Sequence, residues 1–191
     1  MVDETLAAPV RNGNKAPDWG INYGIRELWS EVAPGLFVGG TSDSDHVGRG
    51  RKFEDTGRGF FEILEDAEIG PDDFDAVVTM YAWARPVDWG VEELRWGIMD
   101  SDQAGIDLES LRETVVWAHR RWKAGKRVLV RCQAGLNRSS LVAGLVLVRE
   151  GMEGHEAITT IRRRRARRAL FNEKFERIVN GGLIANEYWR D

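Results

Sequence analysis

The sequence has a single cysteine, Cys132, among its 191 residues. A lone cysteine excludes a disulfide within the chain, so nothing supports a secreted, disulfide-stapled fold. The longest apolar run, LVAGLVLV at 141–148, is too short to span a bilayer. The first 20 residues lack the basic stretch followed by an apolar one that marks a signal peptide. These absences predict a cytoplasmic protein without a membrane span.

Histidine is scarce, and acidic residues outnumber basic ones, 31 to 27. The net charge of −4 argues against a general nucleic-acid-binding protein. The three histidines, at 46, 119 and 155, show no metal-ligand spacing, and DSDH at 43–46 is typical of a polar turn. We therefore expect no metal and no other cofactor. The length and the 42% hydrophobic content suit one globular domain.

Strand and helix patterns alternate along the chain. We predict an irregular N-terminal extension over 1–30 packed on one domain over 31–185, with an elaborated segment at about 46–73 that contains a possible helix at 60–67. The predicted strands are 35–40, 74–80, 91–99 and 126–131. The predicted helices are one capped by Asp107, with Leu108, Leu111, Val115, Ala118 and Trp122 on its apolar face, then 138–149, 156–165 and 172–180. This alternation predicts an α/β fold with a central, mostly parallel sheet of four to five strands flanked by helices.

The cysteine lies in the stretch VLVRCQAGLNRSS, residues 128–140, between a predicted strand and a predicted buried helix. Unpaired amides at the helix N-terminus, together with the helix dipole, form a site for a tetrahedral oxyanion. Gly135 allows the loop amides to converge, and Arg138 adds a planar fork that suits a phosphate. The same field favours the thiolate form of Cys132, which is then a nucleophile toward a bound phosphoryl group.

The pattern C-x₅-R-S at Cys132–Ser139 resembles the cysteine-dependent protein tyrosine phosphatases, most closely their small dual-specificity branch. Collinear matches at PGLFVGG (34–40), GIMDSDQAGIDL (97–108) and RRALFNEKF (167–175) extend the resemblance over roughly 31–180. It implies a phosphatase that hydrolyses phosphoprotein or phosphopeptide monoesters, phosphotyrosine foremost and phosphoserine or phosphothreonine as well, through a phosphocysteine.

The resemblance also implies roles for individual residues. Cys132 is the expected nucleophile, Arg138 the phosphate clamp and Ser139 the group that stabilises the departing thiolate. Asp102 is the expected general acid, six residues before Leu108, and Asp100 is the other candidate in its loop. The phosphate-binding amides are expected to come from Gln133, Ala134, Gly135, Leu136, Asn137 and Arg138. Arg131 stands where the family has histidine, and Arg131 and Arg167 are secondary candidates.

Two other functions stay open. Asn137 before the arginine also occurs in the related RNA 5′-triphosphatases, and the basic run RRRRARR (162–168) could contact RNA, although such a run is more often a solvated helix face. A pseudophosphatase that binds phosphopeptides without turnover is the other alternative, favoured weakly by Arg131 and opposed by the intact cysteine, arginine and serine. A lipid phosphate is also a conceivable substrate.

Overall fold

The computed structural model describes residues 27–41, 73–87 and 90–190. The predicted helix at 60–67, the DSDH turn and nearly all of the extension and the elaborated segment lie outside these residues. The strands are β1 (Trp29–Ala33), β2 (Leu36–Gly40), β3 (Ala76–Thr79), β4 (Glu92–Arg95) and β5 (Val128–Cys132). The helices are α1 (Leu108–Lys123), α2 (Arg138–Arg149), α3 (Gly154–Arg164), α4 (Glu173–Val179) and α5 (Glu187–Arg190).

The strands form one sheet in the order β1-β2-β5-β3-β4. β1 and β2 are antiparallel, and the other three pairs are parallel, which confirms the predicted mostly parallel sheet with helices around it. β5 is in the centre, and Cys132 ends it at the carboxyl edge of the sheet. Ligand sites of parallel sheets lie at this edge, where the loops after the strands meet.

The sequence analysis missed β1, whose first two residues fall in the stretch that we expected to be irregular. β1 and β2 form a hairpin closed by Pro34 and Gly35, and Gly35 has a φ of 79°. A Pro-Gly pair is a turn signal, so the sequence did contain an indication of this hairpin. The four-residue helix α5 was not predicted either.

Helix α2 is the centre of the domain, as its apolar sequence predicted. Every residue from Arg138 to Val148 is buried, and the helix packs on the sheet and on α1, α3, α4 and α5. A helix buried all round is fixed in position from every side. The N-terminus of α2 is therefore held rigidly against the carboxyl end of β5.

Helix α1 begins as predicted, because the Asp107 carboxylate accepts hydrogen bonds from the amides of Glu109 and Ser110 at 3.0 and 3.4 Å. The prediction for Leu108 was wrong: its side chain is 37% exposed. Leu108 is the first residue of the helix, and the buried positions begin only at Leu111. Within the described ranges, no helix is long and apolar enough to cross a membrane.

Candidate active site

The loop between β5 and α2, residues 132–138, turns its carbonyl groups outward. The carbonyl oxygens of four successive residues accept hydrogen bonds from groups behind the loop: Gln133 from the Thr41 amide, Ala134 and Gly135 from the Arg165 guanidinium, and Leu136 from the Leu170 amide. The distances lie between 2.8 and 3.3 Å. A peptide plane that points its oxygen outward points its N–H inward. The loop amides therefore face the space above Cys132, an arrangement that binds an anion.

Gly135 is required by this geometry for two reasons. Its φ of 69° lies in the left-handed region, which costs a residue with a Cβ about 1–2 kcal/mol. In addition, a Cβ at this position would lie 2.4 Å from the carbonyl carbon of Gly39 and 2.6 Å from a guanidinium nitrogen of Arg165. The close approach of β2 and Arg165 to the back of the loop is thus possible only with glycine.

The sulfur of Cys132 lies at the base of this loop. The residue is 1% exposed, and Sγ accepts a hydrogen bond from the amide of Gly135 at 3.2 Å. The hydroxyl oxygen of Ser139 lies 3.2 Å from the same sulfur, with either atom able to donate. The sulfur at the base of the loop thus has one amide donor and one hydroxyl within hydrogen-bonding distance.

Arg138 begins α2 and lies on the open side of the loop, with 7% of its surface exposed. Its Nη1 donates to the carbonyl of Ile98 at 3.3 Å and its Nη2 to the side-chain oxygen of Gln133 at 3.5 Å. Its buried Nε makes no hydrogen bond with any described residue, and the Tyr81 ring lies 5.0 Å from the guanidinium carbon. Long hydrogen bonds and an unpaired donor leave this guanidinium able to turn toward an incoming anion.

Arg165 supports the loop from behind, and the sequence analysis did not single it out. Its side chain is buried and also donates to the Glu27 carbonyl at 2.6 Å. Burial lowers the pKa of Arg165 to about 10, although attraction to Cys132 and Glu27 opposes the shift. Arg165 therefore stays charged at neutral pH. The signal was present in the helix periodicity, because Arg165 follows the buried Ala157 and Ile161 at steps of four.

The two aspartates of the loop before α1 have different surroundings. The Asp100 carboxylate accepts from the side-chain amides of Asn137 and Asn172, both at 3.2 Å, and lies 3.9 Å from Nε of Arg138. Asp102 accepts instead from the backbone N–H of Lys174 at 3.3 Å, near the start of α4. The structure thus brings Asp100 against loop 132–138, while Asp102 lies at the periphery of the site.

Comparison with known proteins identifies the fold. No family model matches the sequence, and no curated protein matches it. Among solved structures, similarity extends to Tk-PTP in its active form (24% identity, TM-score 0.57, 81% of this chain and 95% of that one). It extends also to human DUSP28 (20%, TM-score 0.59, 84% and 97%) and to OH1 from the Orf virus, a tyrosine phosphatase (19%, TM-score 0.57, 85% and 89%). The chain has the tyrosine phosphatase fold.

The two arginines that the sequence analysis gave as secondary candidates, Arg131 and Arg167, lie apart from the loop amides. Arg131 is 3% exposed, and its guanidinium donates to Thr79 and to the Arg85 carbonyl at 2.9 and 2.5 Å. Because neighbouring residues of a strand face opposite sides of the sheet, Arg131 extends away from the Cys132 sulfur. Arg167 is exposed and makes no hydrogen bond with the part of the chain that the structure describes.

Proposed function

We propose that this chain is a phosphatase that hydrolyses phosphate monoesters of cytoplasmic phosphoproteins through a phosphocysteine on Cys132. Phosphotyrosine is the preferred substrate, and phosphoserine and phosphothreonine are further ones. The observation that carries the proposal is the orientation of loop 132–138, in which four outward carbonyls leave the amides facing a buried sulfur. The fold shared with tyrosine phosphatases supports it.

In the first step, the Cys132 thiolate attacks phosphorus and the bond to the leaving oxygen breaks. The loop amides and the Arg138 guanidinium bind the three equatorial oxygens. Because these donors are already in place, they stabilise the negative charge on the oxygens in the transition state. The leaving oxygen takes a proton from a carboxylic acid, for which we propose Asp102. The products of this step are the free alcohol or phenol and the phosphocysteine.

In the second step, water attacks the phosphocysteine and the P–S bond breaks. The same carboxyl group, now ionised, accepts a proton from the water. The Ser139 hydroxyl, 3.2 Å from Sγ, donates to the sulfur as negative charge returns to it. Inorganic phosphate leaves, and the thiolate is regenerated.

The surroundings of the loop weigh against the RNA 5′-triphosphatase alternative. Asn137 is 2% exposed, and its side chain bridges Asp100 and the Asn172 amide rather than facing outward. Within the basic run, Arg165 is buried behind the loop, and Arg162 bonds to Glu176 at 2.8 Å. Arg162 and Arg165 therefore stabilise the fold and do not belong to a free basic surface. A protein substrate is the better supported of the two.

The test is hydrolysis by the wild-type chain and by Cys132→Ser. We expect the wild type to release phosphate from an aryl phosphate and from a phosphotyrosine peptide. Loss of the nucleophile should lower kcat by on the order of 10⁴-fold or more, whereas inorganic phosphate should still bind because the donors are mainly backbone. Acid quenching with labelled substrate should trap labelled protein only with the wild type.

Three outcomes would contradict the proposal. Activity of Cys132→Ser near the wild-type value would exclude the phosphocysteine. Faster turnover of a triphosphate-ended RNA than of the peptide would favour the RNA alternative. Binding of the phosphopeptide without phosphate release by the wild type would favour a pseudophosphatase.

A further inference from the structure

Arg131, Thr79, Glu93 and Arg95 form a polar cluster across three neighbouring strands. Thr79 of β3 is paired with Arg131 of β5 and with Arg95 of β4. The Arg131 guanidinium donates to the Thr79 hydroxyl at 2.9 Å and lies 3.4 Å from the Glu93 carboxylate. The Thr79 hydroxyl in turn donates to the Glu93 carboxylate at 2.6 Å. Arg95 forms an ion pair with the same carboxylate at 3.0 Å. Arg131, the member of the cluster on β5, directly precedes Cys132 in the sequence.

This cluster holds loop 81–87, which follows β3, at three backbone positions. Arg95 donates to the Ala84 carbonyl at 2.7 Å, and Arg131 donates to the Arg85 carbonyl at 2.5 Å. The Glu93 carboxylate accepts from the Val87 amide at 3.0 Å. Three attachments within four residues leave this end of the loop little freedom.

Loop 81–87 reaches the active site through Tyr81, whose ring lies 5.0 Å from the Arg138 guanidinium carbon. The loop also packs closely on the segment that leads to Asp100, because a Cβ added to Gly97 would lie 2.7 Å from the Ala82 Cβ. The position of loop 81–87 therefore determines where the Tyr81 ring lies beside the phosphate-binding arginine.

We propose that Arg131 is a positioning residue that, with Glu93, fixes loop 81–87 as a wall of the active site and so determines which leaving groups the site accepts. The inference rests on the proposed phosphatase function. Arg131 acts through the loop and touches no reacting atom. Its planar fork bonds a hydroxyl, a carbonyl and a carboxylate together, which neither histidine nor lysine can reproduce.

The first test does not depend on catalysis. Hydrogen–deuterium exchange is measured for the wild type, Arg131→Met and a matched control, Arg149→Met. Arg149 also donates to a carbonyl, that of Trp189 at 2.7 Å, but it lies at the far end of α2. We expect exchange of segment 81–87 in Arg131→Met to rise by about 10-fold or more, with segment 133–138 close to wild type. Unchanged exchange of 81–87 would overturn the link between Arg131 and the loop.

The second test measures the consequence for substrates. In Arg131→Met, the Ki for inorganic phosphate should stay within about 2-fold of wild type, because the loop amides remain in place. The kcat/KM for a bulky aryl phosphate should fall by about 10-fold or more relative to a small one, since a displaced wall misplaces the larger group. Arg131→Lys should show the same change of ratio. A uniform loss over both substrates, or a lysine variant equal to wild type, would contradict the proposal.

Arg95→Met covers the case in which Arg131→Met does not fold. The Arg95 side chain is 31% exposed, so the fold should tolerate its loss better than the loss of Arg131. The substitution also removes the hydrogen bond to the Ala84 carbonyl in the same loop. We expect the kcat/KM for the bulky aryl phosphate to fall relative to that for the small one, by less than in Arg131→Met. An unchanged ratio of the two kcat/KM values would overturn the proposal. If the wild type hydrolyses neither aryl phosphate, the proposed function fails, and the exchange experiment still decides the role of Arg131.

Discussion

The hydroxyl oxygen of Ser139 lies 3.2 Å from the sulfur of Cys132, and neither residue is exposed. In the proposed reaction the sulfur is the nucleophile first and the leaving group afterwards. A hydroxyl donor stabilises the thiolate both before the first step and after the second. It lowers the activation barrier only of the second step, in which the P–S bond breaks and negative charge develops on the sulfur. The contact therefore predicts that Ser139 acts mainly in the second step.

Ser139→Ala should slow hydrolysis of the phosphocysteine more than its formation. With a good aryl leaving group we expect a burst of one equivalent of phenol per enzyme, followed by a steady rate lower by about 10-fold or more. Ser140→Ala is the matched control, because the Ser140 hydroxyl is buried and has no hydrogen-bond partner within the described ranges. A slowed steady state without a burst would place the effect in the first step.

Replacement of Arg138 by lysine should be nearly as damaging as replacement by alanine. Lysine keeps the charge but loses the planar fork that binds two phosphoryl oxygens together. We expect both variants to lose about 10²-fold or more in kcat/KM, by analogy with loss of a transition-state donor. Arg149→Lys, at the other end of α2, should keep wild-type kinetics. Activity of Arg138→Lys within a few-fold of wild type would mean that Arg138 supplies charge alone.

Arg165→Met should weaken phosphate binding although Arg165 lies behind the loop. The carbonyls of Ala134 and Gly135 would lose their donors, and two unsatisfied buried acceptors cost about 2–6 kcal/mol of unfolding free energy. The loop amides would then be less well aligned, so the Ki for phosphate should rise in the folded protein. Thermal unfolding and phosphate inhibition measure the two effects.

The matched control for Arg165→Met is Arg163→Met. Arg163 lies two residues earlier, in the last turn of α3, but it is exposed, so its replacement should change neither quantity. A lowered stability combined with an unchanged Ki would mean that Arg165 supports the fold and not the alignment of the amides.

The sequence predicted the sheet and the strand–loop–helix arrangement around Cys132 because their signals are local. A strand, Gly135, Arg138 and an apolar helix follow one another within a short stretch, and each contributes a known physical preference. The Asp107 cap was predicted for the same reason. Helix α2 was correctly predicted as central, because a helix apolar on all sides is stable only when surrounded.

The contacts that the sequence could not predict are those between distant segments. Arg165 lies 30 residues after Gly135, and its charge made it resemble its solvated neighbours. Arg131 was identified only as a departure from the family pattern; its bonds to Thr79 and Glu93 depend on the order of β5, β3 and β4. Strand order is a tertiary property that no local pattern contains.

The positions of Asp100 and Asp102 lead to the last prediction. Both oxygens of Asp100 accept hydrogen bonds, from Asn137 and Asn172, and Arg138 is near. These contacts hold the Asp100 carboxylate against Asn137, Asn172 and Arg138, which suits a group that positions the arginine. Asp102 carries only one hydrogen bond among the described residues, to the Lys174 amide, so a small movement of its loop would release it toward the site.

We therefore expect Asp102→Asn to remove the basic limb of the kcat/KM–pH profile, because the variant has no proton to lose. It should cost roughly 10²-fold with a poor leaving group and much less with a good one. Asp100→Asn, its matched control in the same loop, should keep the basic limb and instead raise the Ki for phosphate, since Arg138 loses the carboxylate 3.9 Å away. Profiles recorded with two aryl phosphates of different leaving-group acidity test both variants. If Asp100→Asn alone flattens the basic limb, then Asp100 is the acid, and Asp102 serves only to bind its loop to α4.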